Sequence, residues 1–203
     1  IPGPIDTHVH YGVYSPIDKA AKSESHAAAI GGITTMMRML RLGNSLKLSL
    51  PAQLEAASKN HYIDYSIHIS IFSSQQIGEM PYCIEKGITS FKIYMNLGGD
   101  VGHVYMDMPP YSSKLSEAKV EINDKLVEEI VKKAASLGCP VLVHAEDYES
   151  CACGIKTAKE KKWNGLPAWS DSRSPESEAK AIKTVSKFGR DYGCVIYFVH
   201  IGS

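Results

Sequence analysis

The sequence has little to offer the commoner non-enzymatic functions. Its 203 residues carry only five cysteines, an odd number too sparse for a disulfide framework, which suits a reducing compartment. Cys151 and Cys153 form a C-x-C pair, but no second pair of soft ligands stands near them in zinc-site spacing, so both are read as ordinary thiols. Charge of either sign is not in excess: Lys plus Arg and Asp plus Glu each number 22, for a formal net charge of zero. The basic footprint of a nucleic-acid binder is therefore missing, and no nucleic-acid partner is expected. No apolar run reaches the roughly 18 residues of a membrane span, and no charged-then-apolar leader opens the chain. The expectation is a cytoplasmic protein with no membrane partner. Internal repeats and low-complexity tracts are absent too, while 44% hydrophobic and 22% charged residues are ordinary for a globular core.

What is present is an alternation of short apolar runs with longer amphipathic ones, the pattern of parallel strands joined by crossover helices. Strands are predicted at Pro4 to His10, Ile33 to Met39, Tyr65 to Ile71, Ser90 to Met95, Val141 to Ala145 and Val195 to Ile201. Several are almost continuously apolar, as strands covered on both faces are. Helices are predicted at Ser23 to Ile30, Pro51 to Lys59, Gln75 to Lys86, Asn123 to Leu137 and Pro175 to Tyr192, all but the second followed by a glycine able to take the left-handed cap. In the fourth, Leu126, Ile130, Val131, Ala134 and Leu137 share one face, and Lys125, Glu128, Glu129, Lys132 and Lys133 the other. Residues 96 to 120 and 146 to 172, rich in Gly, Pro, Ser and Tyr, are read as long loops after strands, where a (β/α) barrel places its active site.

The chemistry-bearing residues sit at strand ends. His8 and His10 are two apart in a strand, so their side chains leave the same face and can reach one metal. His144 and His200 close the fifth and sixth strands after apolar residues, and strand-end residues in a barrel converge on one mouth. Lys92 lies inside the apolar strand Ser90-Phe91-Lys92-Ile93-Tyr94-Met95, where an ammonium needs compensation. One reading buries its stem and lets the head escape to solvent; the other makes it a carbamate, an anionic ligand able to bridge two cations.

The segments Pro2-Gly3-Pro4-Ile5-Asp6-Thr7-His8-Val9-His10, Gly31-Gly32-Ile33-Thr34-Thr35, Ser90 to Met95, Val143-His144-Ala145-Glu146-Asp147, Ser172-Arg173-Ser174-Pro175-Glu176 with Glu178-Ala179, and Phe198-Val199-His200-Ile201-Gly202-Ser203 resemble, in order, motifs of the dihydropyrimidinase and hydantoinase family of cyclic amidases in the amidohydrolase superfamily. The resemblance implies a TIM-type (β/α) barrel with two divalent ions, usually zinc. His8 and His10 would hold one ion, His144 and His200 the other, and Lys92 as N6-carboxylysine would bridge them. A metal-bridging hydroxide would then open a dihydropyrimidine or hydantoin ring to an N-carbamoyl amino acid. The family suggests a homo-oligomer, dimer or tetramer.

The match has gaps. The family's remaining ligand and general base is an aspartate at the end of barrel strand eight, and this chain covers about strands one to six. It is therefore expected to be a partial barrel domain, with the last strands and the flanking β-rich domain lying outside it, and to be inactive alone. The tyrosine that hydantoinases carry five residues after the bridging lysine is Leu97 here, with Tyr94, Tyr105 and Tyr111 as substitutes, Tyr94 first. Alternatives within the family are an allantoinase or a dihydroorotase; the latter usually has an arginine two places after H-x-H, where this chain has Gly12. Outside it, a non-catalytic scaffold homologue would share the fold without the metals.

Overall fold

The computed structural model describes residues 2–98, 103–120 and 122–202. Along the chain run β1 (Ile5–Val9), α1 (Ile17–Ile30), β2 (Thr35–Leu40), α2 (Leu46–Asn60), β3 (Asp64–Ser70), α3 (Ser74–Glu85), β4 (Phe91–Tyr94), β5 (His103–Met106), β6 (Ser116–Lys119), α4 (Asp124–Ser136), β7 (Val141–His144), α5 (Tyr148–Glu160), α6 (Gly165–Asp171), α7 (Pro175–Tyr192) and β8 (Ile196–Phe198). They gather into two compact units, Ile1–Ser90 with Gly102–Lys119, and Phe91–Val101 with Val120–Ser203. Among the described residues no helix is long and apolar enough to cross a membrane.

In the first unit β1, β2 and β3 pair in parallel, joined by α1 and α2. Tyr11, Ile17, Ala20, Ala21, Met36, Ala56 and Ala57 form a buried cluster where the two helices meet the sheet. Removing such side chains from water is the main favourable term in folding. The stretch expected to be an irregular loop at 96 to 120 contains the antiparallel hairpin β5–β6; residues 99–102 of that expectation lie outside the described residues.

In the second unit β4, β7 and β8 pair in parallel. The amphipathic reading of α4 holds for Leu126, Ile130, Val131 and Ala134, which are buried while the charged residues are not; Leu137, expected on the same face, caps the helix and is half-buried. Asn123 starts this helix by accepting a hydrogen bond from Leu126 N at 3.0 Å. α7 has the expected bounds and ends at Gly193, whose φ of 67° is the left-handed cap conformation. The 146 to 172 stretch, read as a loop, is instead mostly helix, as α5 and α6. α5 buries only Cys151 and Ala158, too little apolar periodicity to show in the sequence.

Two helix starts differ from expectation. α1 begins at Ile17 rather than Ser23, burying Ile17, Ala20 and Ala21. α2 begins at Leu46 rather than Pro51, so the proline is internal. The reason is tertiary: the Glu79 carboxylate on α3 accepts from Leu46 N and, at 3.4 Å, from Lys47 N, satisfying donors that a first turn leaves open.

Candidate metal centre

In the first unit β1 delivers the H-x-H pair. The two side chains leave the same face, and His8 Nε2 and His10 Nε2 stand 3.0 Å apart. The loop that follows is held by a buried cation. Arg38, in the middle of β2, donates from Nε to Tyr11 O at 3.0 Å and from Nη1 to Gln53 Oε1 at 3.2 Å. Its Nη2 pairs with Asp107 Oδ2 at 3.2 Å, both side chains being buried. Asp107 Oδ2 also accepts from Arg41 N at 2.8 Å, and Met108 N donates to Gly12 O at 2.7 Å. Burial pushes the Asp107 carboxyl up, while the charges and N–H groups of Arg38 and Arg41 act against that. Gly12 has φ of 100°, and a Cβ there would lie 2.3 Å from Arg38 Nη2. The loop after His10 thus has no room for a side chain at residue 12.

In the second unit β4 and β7 lie in register, Tyr94 beside His144 and Lys92 beside Leu142. Lys92 is 0% exposed, so the reading in which its head escapes to solvent is wrong. Among the described residues nothing hydrogen-bonds its Nζ, which stands 5.0 Å from the centre of the Tyr94 ring. Desolvation lowers its pKa to about 7. His144 Nδ1 lies 3.2 Å from His200 Nε2, the two rings meeting edge to face. The far nitrogen, His144 Nε2, is 2.6 Å from Glu146 Oε2. That bond, more than any other interaction, holds the Glu146 carboxyl below the usual carboxylate range. Desolvation and then the His144 charge lower His200. His200 stands past the end of β8 at φ of 39°, so its position is set by a turn and not by strand alternation.

A cavity of about 350 Å³ opens beside His144 and His200, with Glu146, Trp169, Arg173 and Glu178 in its wall. The Arg173 guanidinium lies 3.5 Å above the Trp169 ring. Of the tyrosines offered for Leu97, Tyr94 is buried beside Lys92 with its ring 6.3 Å from His144, whereas Tyr105 and Tyr111 are exposed and belong to the first unit. Ser203 of the last sequence motif lies outside the described residues. Glu146 and the Arg38–Asp107 pair were not picked out as functional from sequence. Arg38 does leave a signal, a charge within the otherwise apolar run Met36 to Leu40.

Among the described residues no group of three or more His, Cys, Asp or Glu side chains is arranged to hold a metal ion. Each unit supplies two imidazole nitrogens, and Glu146 occupies the nitrogen of His144 that points away from His200. The donor expected to complete the set is Lys92, which in its ammonium form has no lone pair to give.

Comparison with known proteins bears on this arrangement. No protein-family model matches the chain. An allantoinase of Solibacter usitatus is 26% identical over 209 residues, covering 100% of this chain and 41% of the relative. A D-hydantoinase of Geobacillus stearothermophilus is 28% identical over 210 residues, 98% of this chain and 40% of the relative. A dihydroorotase of Methanosphaera stadtmanae is 26% identical over 208 residues, 100% and 42%. An L-hydantoinase structure from Arthrobacter aurescens superposes with a TM-score of 0.81 at 22% identity, over 98% of this chain and 42% of that one. Over its whole length the chain is similar to cyclic amidases of the amidohydrolase superfamily. Its fold is the expected α/β one, an incomplete TIM-type barrel. The chain spans about two fifths of the length of the relatives it matches.

Proposed function

We propose that the protein carrying this chain opens a cyclic amide of the dihydropyrimidine or hydantoin type, adding water across the ring C–N bond to give an N-carbamoyl amino acid. The observation that carries the reading is Lys92: a fully buried amine with no hydrogen-bond partner among the described residues. An ammonium left so would cost several kcal/mol, on the order of 2–7 for an unpaired polar group. As a neutral amine Lys92 can add CO₂, forming an N–C bond and releasing one proton, and the resulting carbamate is an anion that buried cations would stabilise.

The donors fit such cations. A tetrahedral zinc with nitrogens at about 2.0–2.1 Å sets two imidazole nitrogens about 3.3 Å apart, close to the 3.0 and 3.2 Å seen in the two pairs. His8 and His10 would supply nitrogens to one divalent ion, His144 and His200 to another, and Lys92 as N6-carboxylysine an anionic oxygen donor, with zinc the metal of choice for this donor set. The ions would polarise the amide carbonyl and make water a stronger nucleophile. Glu146 would orient the His144 ring by accepting a hydrogen bond from its Nε2–H, which leaves the Nδ1 lone pair for an ion. Tyr94 shields Lys92 from solvent.

Allantoinase and dihydroorotase chemistry share this donor set, and relatives carry both names. Gly12 counts against a dihydroorotase that needs an arginine there, because Arg38 fills the space. The same reading puts the protein in the cytoplasm, where five free thiols stay reduced. It acts on a small molecule as a dimer or tetramer, and its balanced charge offers nothing to nucleic acid.

The test uses the full-length protein, assayed on dihydrouracil, hydantoin, allantoin and dihydroorotate, with metal analysis and intact-mass measurement before and after acidification. Expected are two divalent ions per chain, a mass excess of one CO₂ lost in acid, and ring opening of dihydrouracil or hydantoin. Metal-free protein that opens none of the four even when supplied with zinc or manganese would leave the scaffold reading standing instead.

A further inference from the structure

The two helices that feed β7 and β8 end alike. α4 and α7 both run into a Gly-Cys pair, Gly138-Cys139 and Gly193-Cys194. Each glycine has φ of 67°. Each cysteine N–H donates back into its helix, Cys139 N to Ala134 O at 3.0 Å and Cys194 N to Gly189 O at 2.9 Å. The same left-handed turn is thus built twice. It sets both cysteines two residues ahead of a matched position in the sheet, where Val141 stands opposite Ile196 and Val141 N donates to Val195 O at 2.9 Å. Cys139 and Cys194 therefore face each other at the entries of neighbouring parallel strands. Such strands run about 4.7–4.9 Å apart, inside the Cα separation of about 4.4–6.8 Å that a disulfide spans. The thiol contacts agree, for Cys194 Sγ lies 3.6 Å from Cys139 O. Burial, and then the neighbouring Cys139, push the Cys194 thiol up; burial raises Cys139 as well, so both rest protonated.

We propose that Cys139 and Cys194 form a reversible disulfide that staples β7 to β8 at the end of the sheet opposite His144 and His200. The oxidant is a small-molecule disulfide of the glutathione type. Cys194 is half-buried and is reached first, whereas Cys139 is buried. The Cys194 thiolate attacks one sulfur of the oxidant, whose S–S bond breaks, and the departing thiolate takes up the proton. The Cys139 thiolate then displaces the second glutathione from Cys194 Sγ and closes the protein disulfide. Two protein thiols are oxidised and one glutathione disulfide is reduced to two thiols. In a reducing compartment the dithiol is the resting form, and the bond forms on oxidative exposure. The link closes a loop containing α5, α6 and α7, which restricts the unfolded chain and leaves the imidazole pair untouched. This thiol chemistry does not depend on the hydrolase reading.

The test incubates the folded full-length protein with oxidised glutathione, the exposed Cys153 serving as an internal control for reagent access. Peptide mass spectrometry is expected to find Cys139 joined to Cys194, and dithiothreitol to separate them. The oxidised protein should unfold about 5 °C higher than the reduced one. Cys139→Ser should stop at the mixed disulfide, with one glutathione on Cys194 and no thermal gain. The proposal is overturned if Cys153 takes up glutathione while the Cys139–Cys194 peptide is missing, or if that peptide forms only after unfolding in urea. A cross-link that lowers the unfolding temperature overturns the staple as well. The wild-type measurement decides even where the variant does not fold.

Discussion

His144 Nε2 and Glu146 Oε2 are 2.6 Å apart, and because an ionised carboxylate only accepts, the proton on this contact belongs to the imidazole. That fixes the tautomer of His144 and leaves Nδ1, the nitrogen facing His200, with its lone pair free for a cation. Glu146→Gln keeps the shape and removes the charge. Metal affinity, followed by competition with a chromophoric chelator, should fall about 10- to 100-fold, with the circular dichroism spectrum unchanged. Wild-type affinity in this variant would show that the contact is incidental.

Lys92→Met separates a structural lysine from a functional one. A methionine fills much the same volume and carries no group that needs water or a partner. The metal-free variant should therefore be more stable to urea than the wild type, by about 1–3 kcal/mol, the usual cost of a buried unsatisfied donor. It should also bind fewer than two ions. A destabilised variant would mean that Lys92 makes a favourable interaction in the folded chain.

Glu79 tests the tertiary cap on α2. Burial acts to raise its carboxyl, but donors from Ser45, Leu46, Gln75 and Lys47 together hold it below the ordinary value of 4.5. Glu79→Gln should cost about 1–2 kcal/mol near neutral pH. The sign follows from linkage: a carboxyl with a lowered folded-state pKa stabilises above its unfolded value, and that contribution is lost as pH falls through the folded one. Wild type and variant should thus converge in urea midpoint as the medium is acidified below about 4.5, whereas a constant gap would argue against the charged cap.

Asp107→Asn leaves the Arg38 guanidinium buried beside neutral groups. Removing one partner of such a pair costs about 3–5 kcal/mol, which equilibrium unfolding would register as a large fall in midpoint. Replacing both, as Arg38→Met with Asp107→Leu, should cost less than the single change.

The sequence made visible whatever depends on local periodicity. His8 and His10 are legible because strand side chains alternate, and Lys92 because a charge inside Phe91 to Met95 breaks an apolar pattern. What stayed hidden depends on partners far along the chain. Arg38 could be seen as unusual, but not that Asp107 answers it. The start of α2 at Leu46 depends on Glu79, a residue of the next helix. β5 and β6 are four residues each, with pairing set across a long connection and not by a two-residue turn. His200 was placed on a strand, yet it sits in a turn with positive φ that no spacing rule would reveal.

The hairpin and the H-x-H loop are tied at Asp107 and Met108, before the chain reaches the exposed tip around Tyr111. The tip can therefore be rebuilt without disturbing the anchor. A library randomised over residues 110–115 would vary a stretch whose backbone is held to α1 at Tyr111 N–Asp18 Oδ1, 2.8 Å, while the tie at Asp107 and Met108 keeps the H-x-H loop in place.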